Sequence, residues 1–266
     1  MKFLRYPGSK SRFLNFLVKH LPDNTQIRGN YIEPFIGGGS VFLHIKPCQA
    51  IISDLNSELI NLYRGIKLYP HKVWQNFELF PAGKKSYYKV RDEKLDTSKL
   101  HFKAARTLYL NRTCFKGMWR HNASGRFNVG YGGEDRRWVI THKNIIELSQ
   151  IFRTAEILNE DFGNVVAASS KNDFIFLDPP YKPGEKNLIE SHYSNGRFDF
   201  DEQKRLSEVL KCLPKTKQIR WAMTNSSHKD ILKLYKGYNI IKIPIGTGSM
   251  PGIQQRNSRE VLITNY

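Results

Sequence analysis

The sequence has 266 residues, of which 40% are hydrophobic and 12% aromatic, and it carries a formal net charge of +18 with a pI near 9.8. This composition excludes a disordered chain and fits one large α/β domain or a core domain with an insertion. No apolar run is long enough for a membrane span, and the amino-terminal residues do not read as a secretory signal. The three cysteines have neither metal-ligand spacing nor an even count, so we expect no zinc site and no disulfide framework.

The positive charge is concentrated between residues 84 and 143, where fifteen Lys and Arg residues face five Asp and Glu residues, a net charge of +10. A protein this basic commonly contacts a polyanion. A solvated basic surface is the alternative interpretation. The concentration of charge in one segment favours contact with nucleic acid.

The first predicted element is a turn at Tyr6-Pro7-Gly8-Ser9-Lys10, followed by apolar residues at helical spacing up to Leu21. Ser9 is the predicted N-cap of this helix, and Pro22 ends it. Lys10 is unfavourable at a helix start because the helix dipole favours anions there. Two interpretations stay open for Lys10, a solvated side chain or one that reaches a carboxylate.

A strand and a glycine-rich loop are predicted from Tyr31 to Ser40, and a second strand ends just before Asp54. Glycines let a backbone approach a ligand closely, although the dinucleotide spacing of glycines is absent. An acid after the second strand can accept both ribose hydroxyls or cap the next helix. Since Asn56 or Ser57 can provide the cap instead, loop and acid together favour a nucleoside-binding half-domain.

From about Gly65 to Ala155 the pattern changes to basic helices and a loop or hairpin rich in Arg, Asn, Gly and aromatic residues. Arginine pairs with guanine through two hydrogen bonds, Asn and Lys reach bases or phosphates, and an aromatic ring can wedge into the base stack. A structural loop that packs some of its aromatic rings inward is the alternative. The candidate DNA-binding residues are Arg112, Phe115, Lys116, Met118, Arg120, Asn122, Arg126 and Asn128.

An α/β pattern returns at Ile157, where Asp161 and Phe162 suit an adenine ring, or alternatively a loop cap. A helix is predicted from Phe198 to Leu213. Three further strands are predicted at residues 219–224, 240–243 and 261–264. The basic loop at 246–258 is expected to touch the DNA backbone.

The apolar run Phe174–Leu177 predicts a buried parallel strand that leads directly into Asp178-Pro179-Pro180-Tyr181. An acid at the carboxyl end of such a strand lies where open α/β sheets bind their ligands. Neither proline donates a backbone N–H, so the carboxylate and the adjacent carbonyls form a cluster of acceptors beside an aromatic ring. This cluster suits a flat ring with an exocyclic amine. A proline-rich turn with a surface tyrosine is the alternative.

Six motifs resemble, in this order, those of the Dam-type DNA adenine-N6 methyltransferases with the α motif order, and the resemblance covers essentially the whole chain. They are Tyr6–Lys10, Glu33–Ser40, Asp54–Ile60, Leu108–Arg112, Gly125–Val129 and Asp178–Tyr181. The resemblance implies a Rossmann-like S-adenosylmethionine-dependent methyltransferase core of residues 1–64 and 156–266. It also implies a mostly helical target-recognition insertion of residues 65–155. The first motif departs from the usual Trp-Ala-Gly-Gly-Lys of the family but retains the lysine.

The resemblance implies S-adenosylmethionine as cofactor, without a metal. In the family, the cofactor is contacted by the aromatic residue and lysine of the first motif, the acid after the second strand and the acid of the Asp-Pro-Pro-Tyr motif. The expected cofactor-binding residues are Tyr6, Lys10, Glu33, Phe35, Gly37, Gly39, Asp54, Asp161, Phe162 and Asp178. The expected catalytic residues are Asp178, Pro179 and Tyr181.

The implied reaction is direct methyl transfer to the N6 amine of an adenine that has flipped out of duplex DNA. Asp178 and the Pro179 carbonyl are expected to accept hydrogen bonds from the amine, while Tyr181 stacks on the base. Arg120 aligns with a family arginine that contacts guanine in GATC, and Phe115 aligns with an aromatic residue that inserts into the duplex. The predicted target is therefore GATC or a related site.

Double-stranded DNA is the expected partner, no membrane contact is expected, and the resemblance favours a monomer in the cytoplasm of a bacterial, archaeal or phage-infected cell. An RNA or protein amine methyltransferase is an alternative, since it can use the same acceptor motif. A catalytically silent DNA-binding protein is a second alternative. A restriction nuclease is the least favoured, because no acid cluster suited to Mg²⁺ with a following lysine stands out.

Overall fold

The computed structural model describes residues 3–93, 99–122, 124–181, 192–193, 196–244 and 259–266. The basic loop at 246–258, which was expected to touch DNA, lies outside the described residues. By its internal contacts the chain divides into two compact units. The helical unit comprises Met1–Ser9, Gly37–Gly39 and Asp54–Asn159, and the sheet unit comprises Lys10–Ile36, Ser40–Ser53 and Glu160–Tyr266.

The described chain contains both strands and helices. The strands are β1 (Tyr31–Glu33), β2 (Ala50–Ser53), β3 (Ala155–Leu158), β4 (Phe174–Leu177), β5 (His192–Tyr193), β6 (Gly196–Arg197), β7 (Arg220–Ser226), β8 (Asn239–Lys242) and β9 (Glu260–Thr264). The helices are α1 (Leu14–Leu17), α2 (Phe42–Ile45), α3 (Ser57–Leu68), α4 (Pro70–Leu79), α5 (Lys84–Asp92), α6 (Leu100–Thr113), α7 (His142–Arg153), α8 (Phe162–Ala167), α9 (Phe200–Lys211) and α10 (Lys229–Leu234). The predicted α/β fold class is confirmed.

The sheet unit holds six strands of one sheet, in the order β2-β1-β4-β7-β9-β8, whereas β3 belongs to the helical unit. The pairs β1–β2, β1–β4 and β4–β7 are parallel, whereas β9 pairs antiparallel with both β7 and β8. The strands β5 and β6 form a separate antiparallel pair. The parallel strands are almost entirely buried, as expected for a sheet with both faces covered.

The central strand β4 fixes the position of the Asp-Pro-Pro-Tyr motif. All four of its residues are fully buried, as the continuous apolar run predicted. Its last residue, Leu177, pairs with Met223 of β7. The next residues along these parallel strands, Asp178 and Thr224, therefore lie side by side at the carboxyl edge of the sheet.

The helix predicted from Ser9 to Leu21 is wrong in its extent. The chain instead forms a 3-10 turn at Lys10–Arg12, and α1 covers four residues without a side-chain cap. The backbone of Phe13 departs from helical geometry, with φ −104° and ψ 1°. Lys10 is buried in this turn, so its side chain points into the protein rather than along a solvated helix.

The helical unit is built around α6, in which every residue from Ala104 to Thr113 is buried. A helix that is buried on all sides lies at the centre of its neighbours. Gly65 of α3 permits a close approach, because a Cβ at this position would lie 2.4 Å from the Cβ of Ala104. Buried polar side chains of α6 find backbone partners; for example, Arg106 Nε donates to the Val90 carbonyl at 2.8 Å and the Thr113 hydroxyl donates to the Tyr109 carbonyl at 2.7 Å.

The predicted insertion boundaries, residues 65 and 155, both fall inside the helical unit. Residues 54–64, which were assigned to the core, group with the helices by their contacts. The assignment of residues 65–155 to target recognition stays a prediction.

Candidate active site and nucleic-acid interface

Three side chains of the sheet unit meet at the carboxyl edge of β4 and β7. Lys10 Nζ lies 2.8 Å from Asp178 Oδ1, and the Thr224 hydroxyl donates to the same oxygen at 2.6 Å. The side chain of Lys10 is 6% exposed and that of Asp178 is 19% exposed. Of the two interpretations for Lys10, the one in which it reaches a carboxylate is therefore correct. Both donors use Oδ1, so Oδ2 retains acceptor capacity, since an ionised carboxylate has about four acceptor sites.

Tyr181 lies beside this pair. Lys10 Nζ is 4.8 Å from the centroid of the Tyr181 ring, and the Tyr181 hydroxyl donates to Glu260 Oε2 at 3.1 Å. Burial, followed by the charge of Asp178, raises the pKa of Tyr181 well above its usual value. Burial also raises the pKa of the Glu260 carboxyl. The cation against the ring and the held hydroxyl together fix the orientation of the aromatic ring.

The turn after β4 is held by buried amides. The Pro180 carbonyl accepts a hydrogen bond from Gln203 Nε2 at 3.2 Å, and Gln203 Oε1 accepts one from Asn225 Nδ2 at 2.9 Å. Gln203 is 4% exposed and Asn225 is fully buried. Pro179, the second predicted catalytic residue, is also buried. Since buried polar groups are costly unless paired, this chain of amides fixes the motif relative to the sheet.

An aromatic cluster, defined here as Phe35, Phe162 and Phe198, lies in the same unit. The ring centroids of Phe35 are 5.2 Å from Phe162 and 5.5 Å from Phe198. Asp161 caps α8 by accepting a hydrogen bond from the Gly163 N–H at 2.8 Å. The alternative prediction for Asp161, a cap, is therefore correct. Its carboxylate is bound by Arg205 of α9, which donates to Oδ1 at 2.8 Å and to Oδ2 at 2.7 Å. The hydrogen bonds from Arg205 lower the pKa of the Asp161 carboxyl.

Glu33, another predicted cofactor-binding residue, ends β1. It is 2% exposed and accepts a hydrogen bond from the Tyr31 hydroxyl at 2.6 Å. Burial, followed by the charge of Glu33, raises the pKa of Tyr31 well above its usual value. The carboxylate thus lies in the interior, held by a residue of its own strand.

The glycine-rich loop and Asp54 come together in the helical unit. The Gly37 N–H donates to Asp54 Oδ2 at 3.0 Å, and the Asn56 N–H donates to Oδ1 at 2.9 Å. Gly37 and Gly39 have φ angles of 44° and 66°, a region that favours glycine. Asn56 caps α3, as predicted, by accepting from the N–H groups of Glu58 and Leu59. Burial raises the pKa of the Asp54 carboxyl, and the hydrogen bonds from the Asn56 and Gly37 N–H groups act against this shift.

Tyr6, the aromatic residue of the first motif, packs within the helical unit. A Cβ on Gly38 would lie 3.1 Å from the Tyr6 Cβ, so the glycine loop passes directly against it. The Tyr6 ring is also 6.4 Å from the ring of Trp119. The structure therefore places Tyr6, the glycine loop and Asp54 close together, and their contact with a cofactor stays a prediction.

Residues 119–122 and 124–129, called the basic hairpin below, form a hairpin in the helical unit. The Asn128 N–H donates to the Arg120 carbonyl at 3.0 Å, and the Asn122 N–H donates to the Arg126 carbonyl at 2.9 Å. Asn122 Oδ1 also accepts from the Arg126 N–H at 2.9 Å, which closes the turn. The side-chain oxygen of Asn122 thus has a structural task, and its contact with DNA stays a prediction.

The two faces of the basic hairpin differ in exposure. Trp119 and Phe127 are buried, with 7% and 5% exposure. This agrees with the alternative prediction that some aromatic rings of the loop pack inward. Arg120 and Arg126 are exposed on the other face. Arg120 Nε donates to Asn128 Oδ1 at 3.0 Å, so its guanidinium is oriented before any ligand binds. Alternation along the two strands separates an anchoring face from a basic face.

His121 anchors the hairpin to α3. Its Nε2 lies 3.0 Å from Glu58 Oε2, and Arg106 of α6 lies 3.6 Å from Glu58 Oε1. The His121 side chain is 4% exposed, and that of Glu58 is 30% exposed. These contacts bind the hairpin to the same helix that begins after Asp54.

The remaining predicted DNA-binding residues divide by exposure. Phe115 is 49% exposed and Met118 is 39% exposed, and Lys116 is also exposed. Arg112 is 3% exposed, and its Nε donates to the Arg136 carbonyl at 2.8 Å. Burial, together with the charges of Arg5 and Arg136, lowers the pKa of Arg112 to about 10. Arg112 is thus largely inside the helical unit, and its contact with DNA stays a prediction.

Several residues of these clusters were missed by reasoning from the sequence. Thr224 ends a predicted strand and Glu260 lies one residue before another, but their contacts depend on the order of the strands in the sheet. Arg205 lies one turn inside a predicted amphipathic helix, where a solvated arginine is the ordinary expectation. His121 could have been found, because it falls on the same alternating face as Trp119.

The described residues include no set of three His, Cys, Asp or Glu side chains that could hold a metal ion. Within the same residues, no helix combines the length and the apolar character needed to cross a bilayer.

Two similar proteins of known name are methyltransferases. A Type II methyltransferase of Lactococcus lactis subsp. cremoris is 31% identical over 99% of this chain and 95% of its own. A DNA adenine methylase of Salmonella typhi is 31% identical over 79% of this chain and 76% of its own. A solved structure of a precorrin 8W decarboxylase from Methanobacterium thermoautotrophicum matches 96% of this chain and 88% of its own chain at 12% identity. The TM-score of this match is 0.37, which does not indicate a shared fold.

The family model of the D12 class N6 adenine-specific DNA methyltransferases matches residues 6–244. This range includes the first motif, the glycine loop with Asp54, the basic hairpin and the Asp-Pro-Pro-Tyr motif. The predicted resemblance to Dam-type enzymes and the methyltransferase fold are confirmed. The chain belongs to the family of D12 class N6 adenine-specific DNA methyltransferases.

Proposed function

We propose that this protein transfers a methyl group from S-adenosylmethionine to the N6 amine of an adenine that is flipped out of duplex DNA. The observation that carries the proposal is the polarised arrangement around Asp178. Lys10 and Thr224 both donate to Oδ1, which directs the remaining acceptor capacity of the carboxylate to Oδ2. An exocyclic amine needs such an acceptor, because conjugation with the purine makes its nitrogen a poor nucleophile.

In this mechanism Asp178 Oδ2 and the Pro179 carbonyl accept the two N6 hydrogens. Acceptors that hold both hydrogens favour a pyramidal nitrogen and direct its lone pair away from the ring. Tyr181 stacks on the base, and its orientation is set by Lys10 and Glu260. The buried amides behind the Pro180 carbonyl keep these groups in place, so little reorganisation is needed during the reaction.

The residues proposed for the cofactor fit an adenosyl group. Gly37 and Gly39 adopt φ angles that favour glycine, and Asp54 beside them carries the carboxylate expected to accept the ribose hydroxyls. Asp161 and Phe162 supply an acceptor and a ring for the adenine. The full set proposed for cofactor contact is Tyr6, Lys10, Glu33, Phe35, Gly37, Gly39, Asp54, Asp161, Phe162 and Asp178. When bound, S-adenosylmethionine supplies an electrophilic methyl group, and no metal is required.

Sequence reading is assigned to the basic hairpin and its flanking residues. Arg120 is exposed and held by Asn128, a geometry that suits two hydrogen bonds to guanine in the major groove. Phe115 and Met118 are exposed apolar side chains that can enter the base stack beside the flipped adenine. We propose GATC or a related sequence as the target. The enzyme is proposed to act as a monomer on double-stranded DNA in the cytoplasm of its cell.

The test is expression of the chain in a bacterium that lacks adenine methyltransferases, followed by base-resolved detection of N6-methyladenine. We expect methylation confined to one short motif, and none in cells that express Asp178→Ala. Methylation at a motif other than GATC keeps the chemistry and discards the proposed target. The absence of methylated adenine, from protein that still binds S-adenosylmethionine, rejects the DNA substrate and directs attention to RNA or protein amines.

A further inference from the structure

Arg205 binds both groups that are proposed to receive the adenine of the cofactor. Its two terminal nitrogens donate to the two carboxylate oxygens of Asp161, at 2.8 Å and 2.7 Å. Its guanidinium carbon lies 3.9 Å from the centroid of the Phe162 ring. A planar guanidinium that binds a carboxylate through two parallel bonds and stacks on a ring fixes both partners in one geometry.

The acceptor capacity of Asp161 is distributed unevenly. Oδ1 accepts from Arg205 and from the Gly163 N–H at 2.8 Å. Within the described part of the chain, Oδ2 accepts from Arg205 alone. Since each oxygen of an ionised carboxylate has about two acceptor sites, Oδ2 keeps one site for a further donor.

Arg205 is itself held from the other side. Its Nε donates to Glu202 Oε1 at 3.1 Å, and one terminal nitrogen donates to Glu202 Oε2 at 2.7 Å. The guanidinium is thus clamped between two carboxylates, which limits its rotation. A surface ion pair for stability is the ordinary alternative, since the Arg205 side chain is 39% exposed and such pairs contribute little. That alternative does not account for the stacking on Phe162, which is 2% exposed and belongs to the aromatic cluster.

We propose that Arg205 is a positioning residue that makes the cofactor pocket specific for a purine with an exocyclic amine. It holds Asp161 so that Oδ2 faces the base with one acceptor site open, and it supports the Phe162 ring. This inference rests on the proposed function, because it takes the Asp161 and Phe162 pair as the adenine site. A purine with a carbonyl in place of the amine would put two acceptors against each other and leave the carboxylate site without a donor.

The experiment measures binding of two stable thioether probes, S-adenosylhomocysteine and S-inosylhomocysteine, which differ in the amine and carbonyl of the purine. Calorimetric titration is made with the full chain, with Arg205→Ala and with Arg205→Lys. Lys204→Ala is the matched control, because Lys204 is the adjacent cation of the same helix and pairs with Asp201 at 2.8 Å. Thermal unfolding of each variant reports whether the fold is retained.

We expect the unaltered protein to prefer the adenosyl probe by about tenfold or more. Arg205→Ala should weaken binding of the adenosyl probe about threefold to tenfold while the inosyl probe changes little, so that the preference falls. Arg205→Lys should not restore the preference, since lysine retains the charge but cannot make two parallel bonds. Lys204→Ala should leave both affinities unchanged.

An unchanged preference in folded Arg205→Ala overturns the inference. Tighter binding of the adenosyl probe by that variant also overturns it, because the guanidinium would then occupy the place of the base. If the unaltered protein binds neither probe, the proposed function itself fails. That outcome is distinct from a failure of the role of Arg205.

Discussion

Asp178 and Arg120 carry the two proposed tasks, chemistry and sequence reading, in contrasting surroundings. The side chain of Asp178 is 19% exposed, and its partners Lys10 and Thr224 are distant in sequence, with Thr224 46 positions away. Arg120 is exposed, and its partner Asn128 is 8 positions away. The chemical site depends on the register of the sheet, whereas the basic hairpin is oriented by its own short-range hydrogen bonds. The two tasks should therefore be separable by mutation.

The largest expected effect is loss of turnover in Asp178→Asn. The amide presents an N–H group to Lys10 or to the substrate amine, so the polarised acceptor is lost. We expect the single-turnover rate of methyl transfer to fall at least about 10³-fold while DNA affinity stays nearly constant. Rapid-quench assays with labelled S-adenosylmethionine and a gel-shift titration measure the two quantities.

Asp173→Asn is the matched control, at the opposite end of β4. Asp173 is buried and accepts the N–H groups of Asn30 at 2.7 Å and Ser170 at 2.6 Å. This change should lower the free energy of unfolding by about 1–3 kcal/mol and leave the turnover of folded protein intact. Equal losses of turnover in the two variants would mean that Asp178 is structural.

The next effect is loss of discrimination in Arg120→Ala. We expect about 1–3 kcal/mol less discrimination between the cognate duplex and a duplex with one altered base pair, with cofactor affinity unchanged. Competition binding at fixed salt gives the discrimination. Arg153→Ala is the control, because Arg153 is an exposed arginine in the last turn of α7 of the same unit. Equal weakening on cognate and scrambled duplexes would show that Arg120 contacts phosphate rather than a base.

A smaller effect is expected from Thr224→Val, which removes one donor to Asp178 with little change in shape. The rate of methyl transfer should fall about fivefold to tenfold, which corresponds to the upper part of the range of about 0.5–1.5 kcal/mol for one ordinary hydrogen bond, because Lys10 still holds the carboxylate. Thr264→Val of β9 is the comparison, since its hydroxyl is bonded to the Tyr266 carbonyl at 3.0 Å. If both threonine variants keep the full rate, Lys10 alone is sufficient to orient the carboxylate.

The smallest effect concerns Cys114, which lies at the base of the hairpin segment. Burial raises the pKa of Cys114 to about 11, whereas Cys48 and Cys212 are exposed. At pH 8 the Cys114 thiolate fraction is on the order of 10⁻³, so iodoacetamide should label it at least about 100-fold more slowly than the exposed cysteines. Peptide mass spectrometry over time measures the rates. Labelling of all three at similar rates would indicate that the base of the hairpin opens in solution.

The position of Asp178 at the end of β4 could be predicted from the sequence because a buried parallel strand leaves a clear signal. The apolar run of β4 and the acid that follows it were both found where the structure has them. The sequence left a carboxylate partner open for Lys10, but it could not identify the residues around Asp178. Thr224 reaches it through the pairing of Leu177 with Met223, and Lys10 reaches it through a turn of the chain. Neither contact follows from local spacing.

In the helical unit, the elements could be predicted from the sequence, but the exposure of individual residues could not. The helices and the basic, aromatic hairpin were predicted from the sequence. Asn56 was one of the two residues predicted to cap α3, and it does so. Composition alone did not distinguish exposed from buried arginines, and Arg112 was placed with Arg120 although it is 3% exposed. Arg112 lies on α6, which is buried on all sides, and a helix without an amphipathic pattern gives no sign of which residues face solvent.

The two ends of the segment that carries the basic hairpin are joined to each other by backbone hydrogen bonds. The Phe115 N–H donates to the Gly130 carbonyl and the Gly132 N–H donates to the Thr113 carbonyl, each at 2.8 Å, directly after α6. Because these bonds close the segment at its base, its tip can change in length and composition without displacing α6. If the basic hairpin reads the target sequence as proposed, exchange of this segment between relatives at Thr113 and Gly132 should change the methylated sequence and leave the rate of methyl transfer intact.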